Sequence, residues 1–110
     1  MKSFGDFVYG DAGHDLIVRI KNSDGTVRDV TSATVITLSW RCSDGSSGTV
    51  TTGTIVSPGS SGKFRFENPA SLANPGTAPY VVIEFIVLWT ESAEVYKTRD
   101  LGRFRILRFP

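Results

Sequence analysis

The 110-residue sequence predicts an all-β domain built as a sandwich of about seven to nine antiparallel strands. Three observations carry this expectation. Turn clusters recur along the chain, at Gly10-Asp11-Ala12-Gly13, Asn22-Ser23-Asp24-Gly25, Ser43-Asp44-Gly45-Ser46-Ser47-Gly48, Ser57-Pro58-Gly59-Ser60-Ser61-Gly62 and Asn74-Pro75-Gly76. Between them lie short runs rich in Val, Ile, Thr, Phe, Tyr and Trp, most of which alternate apolar and polar residues. Helix has little room, because its one candidate, residues 69–74, is under two turns long and ends in Asn-Pro-Gly, so a single turn is the most it can form.

Leu16, Val18 and Ile20 share one face of the first run. Thr26-Val27-Arg28-Asp29-Val30 makes a shorter strand. Over residues 34–42, Ile36, Leu38, Trp40 and Cys42 fall together, opposite Val35, Thr37, Ser39 and Arg41. Phe64 and Phe66 alternate with Lys63, Arg65 and Glu67, and Phe104 and Ile106 alternate with Arg103 and Arg105. Such alternation implies one buried and one wet face, as in antiparallel sheets. The predicted core is Leu16, Val18, Ile20, Ile36, Leu38, Trp40, Phe64, Phe66, Val81, Ile83, Phe85 and Phe104. No βαβ spacing appears, so the strand spacing points to an immunoglobulin-like sandwich over residues 1–110 as one domain.

Residues 80–89 break the alternation. Val81, Ile83, Phe85, Val87 and Trp89 make one apolar face, but the other holds Tyr80, Val82, Ile86 and Leu88, with Glu84 the only charge. A central strand of a sandwich needs only one apolar face. Either the N-terminal segment with Phe4 and Phe7, or the loop at residues 69–78, folds over the second face, or another chain covers it.

Composition bounds the rest. With 40% hydrophobic and 21% charged residues the chain is too apolar for disorder, and about two-thirds of its unfolded surface can be buried. The formal net charge is +1, so no whole-molecule field attracts nucleic acid or an acidic membrane. Cys42, the only cysteine, allows neither an intrachain disulfide nor a Cys-based zinc site, and its position predicts a buried thiol. Met1-Lys2-Ser3-Phe4-Gly5-Asp6 lacks the apolar stretch of a secretory signal, and the longest apolar run is half the length of a spanning helix. A soluble protein made in a cytoplasm is expected.

No catalytic constellation is legible. His14, the only histidine, stands between Asp11 and Asp15, while the serines cluster in turns where conformation accounts for them. Asn22-Ser23-Asp24-Gly25 echoes an EF-hand loop, but Ile20 occupies the first ligand position and Asp-Gly reads as a hairpin turn, as does Asp44-Gly45. Asp6, Asp11 and Asp15 could converge as oxygen ligands only if the fold brought them together. Lys97, Arg99, Arg103, Arg105 and Arg108, offset by Asp100, form a basic stretch interleaved with Tyr96, Phe104 and Phe109. The near-neutral whole favours an edge strand with a charged outer face over a nucleic-acid surface, with an acidic patch on a neighbouring protein as a third option. No enzyme, cofactor or metal is expected.

Val8-Tyr9-Gly10-Asp11-Ala12-Gly13, the strand Leu16-Ile17-Val18-Arg19-Ile20 and the stretch Ser23-Asp24-Gly25-Thr26-Val27-Arg28-Asp29-Val30-Thr31-Ser32-Ala33-Thr34-Val35 follow one another. Further on come Gly62-Lys63-Phe64-Arg65-Phe66, Asn74-Pro75-Gly76 before the long strand, and Gly102-Arg103-Phe104-Arg105-Ile106. In this order they resemble the N-terminal domain of phage baseplate upper proteins and related small immunoglobulin-like virion proteins. Val30 stands where that pattern has Leu, and Ser32 where it has Gly. The resemblance covers nearly the whole chain and rests on turn residues and apolar alternation. It implies a virion structural protein, a tail-, baseplate- or neck-associated accessory or a capsid decoration, packed in several copies against other virion proteins. It brings no catalytic or cofactor residues. Tyr80, Val82, Ile86, Leu88, Arg103, Arg105 and Arg108 are the expected protein-interface residues. The alternative is a module binding carbohydrate at a host surface through exposed Trp40, Trp89 or tyrosine rings.

Overall fold

In the computed structural model, which describes residues 2–98 and 101–109, two β-sheets pack face to face. The strands are β1 (Lys2–Val8), β2 (Leu16–Arg19), β3 (Thr34–Cys42), β4 (Ser47–Val50), β5 (Thr54–Ile55), β6 (Lys63–Phe66), β7 (Tyr80–Glu91), β8 (Glu94–Lys97) and β9 (Gly102–Leu107). The larger sheet has the order β1-β9-β7-β3-β4, with β8 paired to the far half of β7, and the smaller has the order β2-β6-β5. Helical structure among the described residues is confined to two single 3-10 turns, Gly59–Ser61 and Pro69–Ser71. This grouping, with the chain crossing between sheets after β2, β4, β6 and at the start, is that of an immunoglobulin-like sandwich.

Period-two alternation sends one set of side chains between the sheets. Leu16, Val18, Phe64 and Phe66 from the smaller sheet meet Ile36, Leu38, Val81, Ile83, Phe85, Val87, Phe104 and Ile106 from the larger, all buried. Phe64 and Trp89 touch across the layers with ring centroids 5.5 Å apart. Fully burying each such side chain is worth roughly 1.5–3 kcal/mol, which makes this layer the main source of stability. Of the predicted core, only Trp40 departs: it is half-buried, its indole lying across Gly48 on the neighbouring strand β4.

Two expectations need correction, and one of the open alternatives for covering β7 falls away. The sandwich is not wholly antiparallel, because β1 lies parallel to β9. A first strand that pairs with the last needs no hairpin, so nothing forces the two to run opposite ways. Residues 26–30 form no strand; Val27 makes a single bridge to Lys21, while Val30 is fully buried from a loop and its N–H donates to the Gly59 carbonyl at 3.0 Å. Nor does the N-terminal segment fold over β7. Gly5, at φ +96°, sits in a bulge between Ser3 and Asp6 that puts an extra residue opposite β9. Phe4 and Phe7, three apart in sequence, therefore both turn inward, onto Phe85 and Phe104 at centroid distances of 5.3 Å each. The Phe4 and Phe85 rings pass so close over Gly102 that a Cβ there would overlap both.

Candidate interaction surface

The outer face of the larger sheet carries the expected interface residues. Along β7 every inward position is buried, while Val82, Ile86 and Leu88 are half-buried and Tyr80 is exposed. Neither candidate cover lies over them. The N-terminal segment extends the sheet as edge strand β1, and the 69–78 loop turns Pro69, Ala70 and Ala73 into the core. Such shelter as these residues have comes from cross-strand neighbours: Arg105 beside Val82, Ser39 beside Ile86, Thr37 and Lys97 beside Leu88. The Ser43 hydroxyl also accepts from the Val82 N–H at 3.0 Å, closing the end of β3 against β7.

The arginines fare differently from one another. Arg105 forks onto Asp6, its Nε and Nη2 donating to the two carboxylate oxygens at 2.7 and 2.6 Å, and its guanidinium lies 4.9 Å from the Tyr80 ring centre. That bidentate bond holds the Asp6 carboxyl below the usual aspartate range. Arg108 donates from Nη1 to the Thr77 carbonyl at 3.1 Å and ties down the loop before β7. Arg103 stands opposite Glu84 in register, but Glu84 makes its ion pair with Arg41, at 3.8 Å. The basic stretch is thus divided: Arg105 and Arg108 are engaged within the molecule, Arg103 faces solvent without an ion pair, and Arg99 and Asp100 lie outside the described residues. Sequence reasoning missed Asp6 and Ser43 as parts of this face, since neither sits near its partner along the chain.

The other candidates separate in space. Asp6 engages Arg105, Asp11 engages His14 at 2.8 Å and Asp15 faces Arg65 at 3.6 Å, so the three aspartates do not converge. Among the described residues no group of three His, Cys, Asp or Glu side chains is placed to hold a metal. His14 is exposed, and Asp11, which also accepts from the Gly13 N–H at 2.8 Å, is its hydrogen-bond partner. Of the rings expected for a sugar platform, Trp40 is half-buried and Tyr80 is exposed, while Trp89 and Tyr96 are engaged within the molecule. Trp89 is 3% exposed, donates from Nε1 to Glu91 at 2.8 Å and stacks on Tyr96. The Arg28 guanidinium covers the Tyr96 ring at 4.6 Å and binds Glu91, so this cluster pins the loop after β2 to the β7–β8 hairpin.

Fold and surface together define the class as an immunoglobulin-like β-sandwich whose larger sheet presents a partly apolar outer face among the described residues. No family model matches the chain, and no curated protein matches it either. No helix among the described residues is long and apolar enough to cross a membrane.

Proposed function

We propose that the chain is a structural protein of a phage virion, a tail-, baseplate- or neck-associated accessory or a capsid decoration. It acts in several copies by packing its larger sheet against other virion proteins after synthesis in the host cytoplasm. The observation that carries this is the second face of β7, where Tyr80, Val82, Ile86 and Leu88 line an apolar stripe that no other segment of the described chain covers. Glu84 interrupts the stripe between Val82 and Ile86, with Arg41 and Arg103 on either side of it, and the Arg105–Asp6 pair lies beside Val82, so apolar and charged groups share the face as they do at protein interfaces. The resemblance to small immunoglobulin-like virion proteins supplies the setting.

Val82→Lys and Ile86→Lys test the reading. Both side chains already reach solvent, so a lysine can snorkel and the domain keeps its thermal unfolding midpoint. Incorporation into particles, read by a mass-spectrometric inventory of purified virions, is expected to fail. Variants that fold and are incorporated at wild-type levels remove this face from the assembly.

A further inference from the structure

Among the described residues strand β2 is an edge, pairing with β6 and no other strand. The Ile20 N–H donates to the Gly62 carbonyl at 2.6 Å, so Leu16, Val18 and Ile20 turn their main-chain groups toward β6 and its extension. By the alternation of an antiparallel ladder, Ile17 and Arg19 turn theirs outward. Among the described residues no hydrogen bond from another strand or loop reaches those groups. Beside this edge lies a groove of about 400 Å³. Val18 and Ile20 line it from β2, and Phe4, Phe85, Trp89 and Leu101 line it from the larger sheet and the segment leading into β9.

Charge selects the occupant. Arg19 and Lys21 border the groove, no carboxylate among the described residues lines it, and neither cation has an ion pair with a described residue. Arg19 also stands directly opposite Lys63 of β6, in a pair without mutual ladder bonds, where cross-strand side chains approach most closely. Like charges so placed repel. A second copy paired through its own β2 would bring more cations to the same corner. A strand carrying carboxylates on its outward side would relieve the repulsion.

We propose that the free edge of β2 and its groove accept an extended segment of another protein, with apolar and acidic residues in alternation, as an added strand. The segment's main chain would bond the outward groups of Ile17 and Arg19. Its apolar side chains would enter the groove, and its carboxylates would lie beside Arg19 and Lys21. This surface is separate from the outer face of β7, so either reading can fail alone.

The test titrates the whole protein with a short synthetic peptide alternating valine and glutamate, against a control with lysine for glutamate. The expected result is saturable binding of the glutamate peptide that slows hydrogen exchange at the Ile17 and Arg19 amides, with weaker binding of the lysine peptide. Arg19→Ala should weaken the glutamate peptide about two- to fivefold, the worth of one cross-strand charge pair. Ile17→Pro removes an N–H that faces the groove edge and not β6, so it should abolish binding while leaving thermal unfolding near that of the wild type. Should Ile17→Pro unfold the domain, the exchange pattern of the wild-type protein decides. No saturable binding, equal binding of both peptides, or protection at other sheet edges overturns the proposal. So does concentration-dependent self-association that protects the same two amides without peptide.

Discussion

Cys42 ends β3 with its side chain in the core, and its N–H donates to the Ser46 carbonyl at 2.8 Å. Burial, the leading influence, pushes its thiol pKa up, so at neutral pH it is a protonated, unreactive group. A thiol reagent should label it slowly in the native protein and fast in denaturant; prompt native labelling would place the sulfur outside the core. Its location was legible because it continues the Ile36–Leu38 face by steps of two. Trp40 lies on the same stretch and is only half-buried, because β4 offers Gly48 there and the indole spreads over it. Alternation tells which way a side chain points, not how much neighbour it meets. Arg105 and Arg108 show the same limit at the candidate surface: their partners, Asp6 and Thr77, lie 99 and 31 residues away in sequence, and nothing local marks them.

At the scale of elements, the strands with a regular inward apolar set were legible: β2, β3, β6, β7 and β9, although on β7 the outward set is largely apolar as well. Of those missed, β1 had a disguised period and β8 a disguised turn. In β1 the Gly5 bulge adds a residue between Phe4 and Phe7, so two inward side chains sit at an odd spacing. Strand β8 was hidden because its hairpin with β7 turns at Ser92-Ala93, whose φ values of +50° and +66° are those of a type I′ turn. Asn-Gly is the usual sequence for that turn, and an L-residue with a Cβ is strained there. Ala93→Gly should therefore stabilise the domain by about 0.5–1 kcal/mol, the relief of a left-handed Cβ less the entropy glycine loses. A higher denaturant midpoint at unchanged slope is the expected reading. Loss of stability would mean that the Ala93 methyl is worth more than the strain it bears.

For the whole molecule, pH is the sharpest probe. The carboxyls of Asp6, Asp11, Asp24, Asp29 and Asp44 are all held below the usual aspartate range: Asp6 through its bond to Arg105, Asp11 through the Gly13 N–H and His14. Asp24, Asp29 and Asp44 accept from the hydroxyl and N–H of the residue two ahead, Thr26, Thr31 and Ser46. A carboxyl held below its unfolded value stabilises the fold above that value and loses the contribution as pH falls through the native one. Thermal stability should thus be flat near neutrality and drop below about pH 4. Asp24→Asn and Asp44→Asn, which cannot titrate, should make the drop shallower; an unchanged profile would remove the turn aspartates as its cause. The two-layer architecture was legible because turn clusters and alternating runs report directly on burial. The parallel contact of the first strand with the last was not, since pairing partners leave no local trace.

That contact bears on how the domain meets tension. Because β1 runs parallel to β9, the Lys2 end of one and the Leu107 end of the other point to opposite ends of the ladder. A pull applied across them shears the ladder along its length, so that its bonds resist together and do not unzip in succession. The forked Asp6–Arg105 bond crosses the same seam. Stretched between two neighbours by its ends, the domain should hold to a higher rupture force than its marginal equilibrium stability suggests. Single-molecule pulling should find that Asp6→Ala lowers that force, and an unchanged force would shift the resistance to another pair of strands.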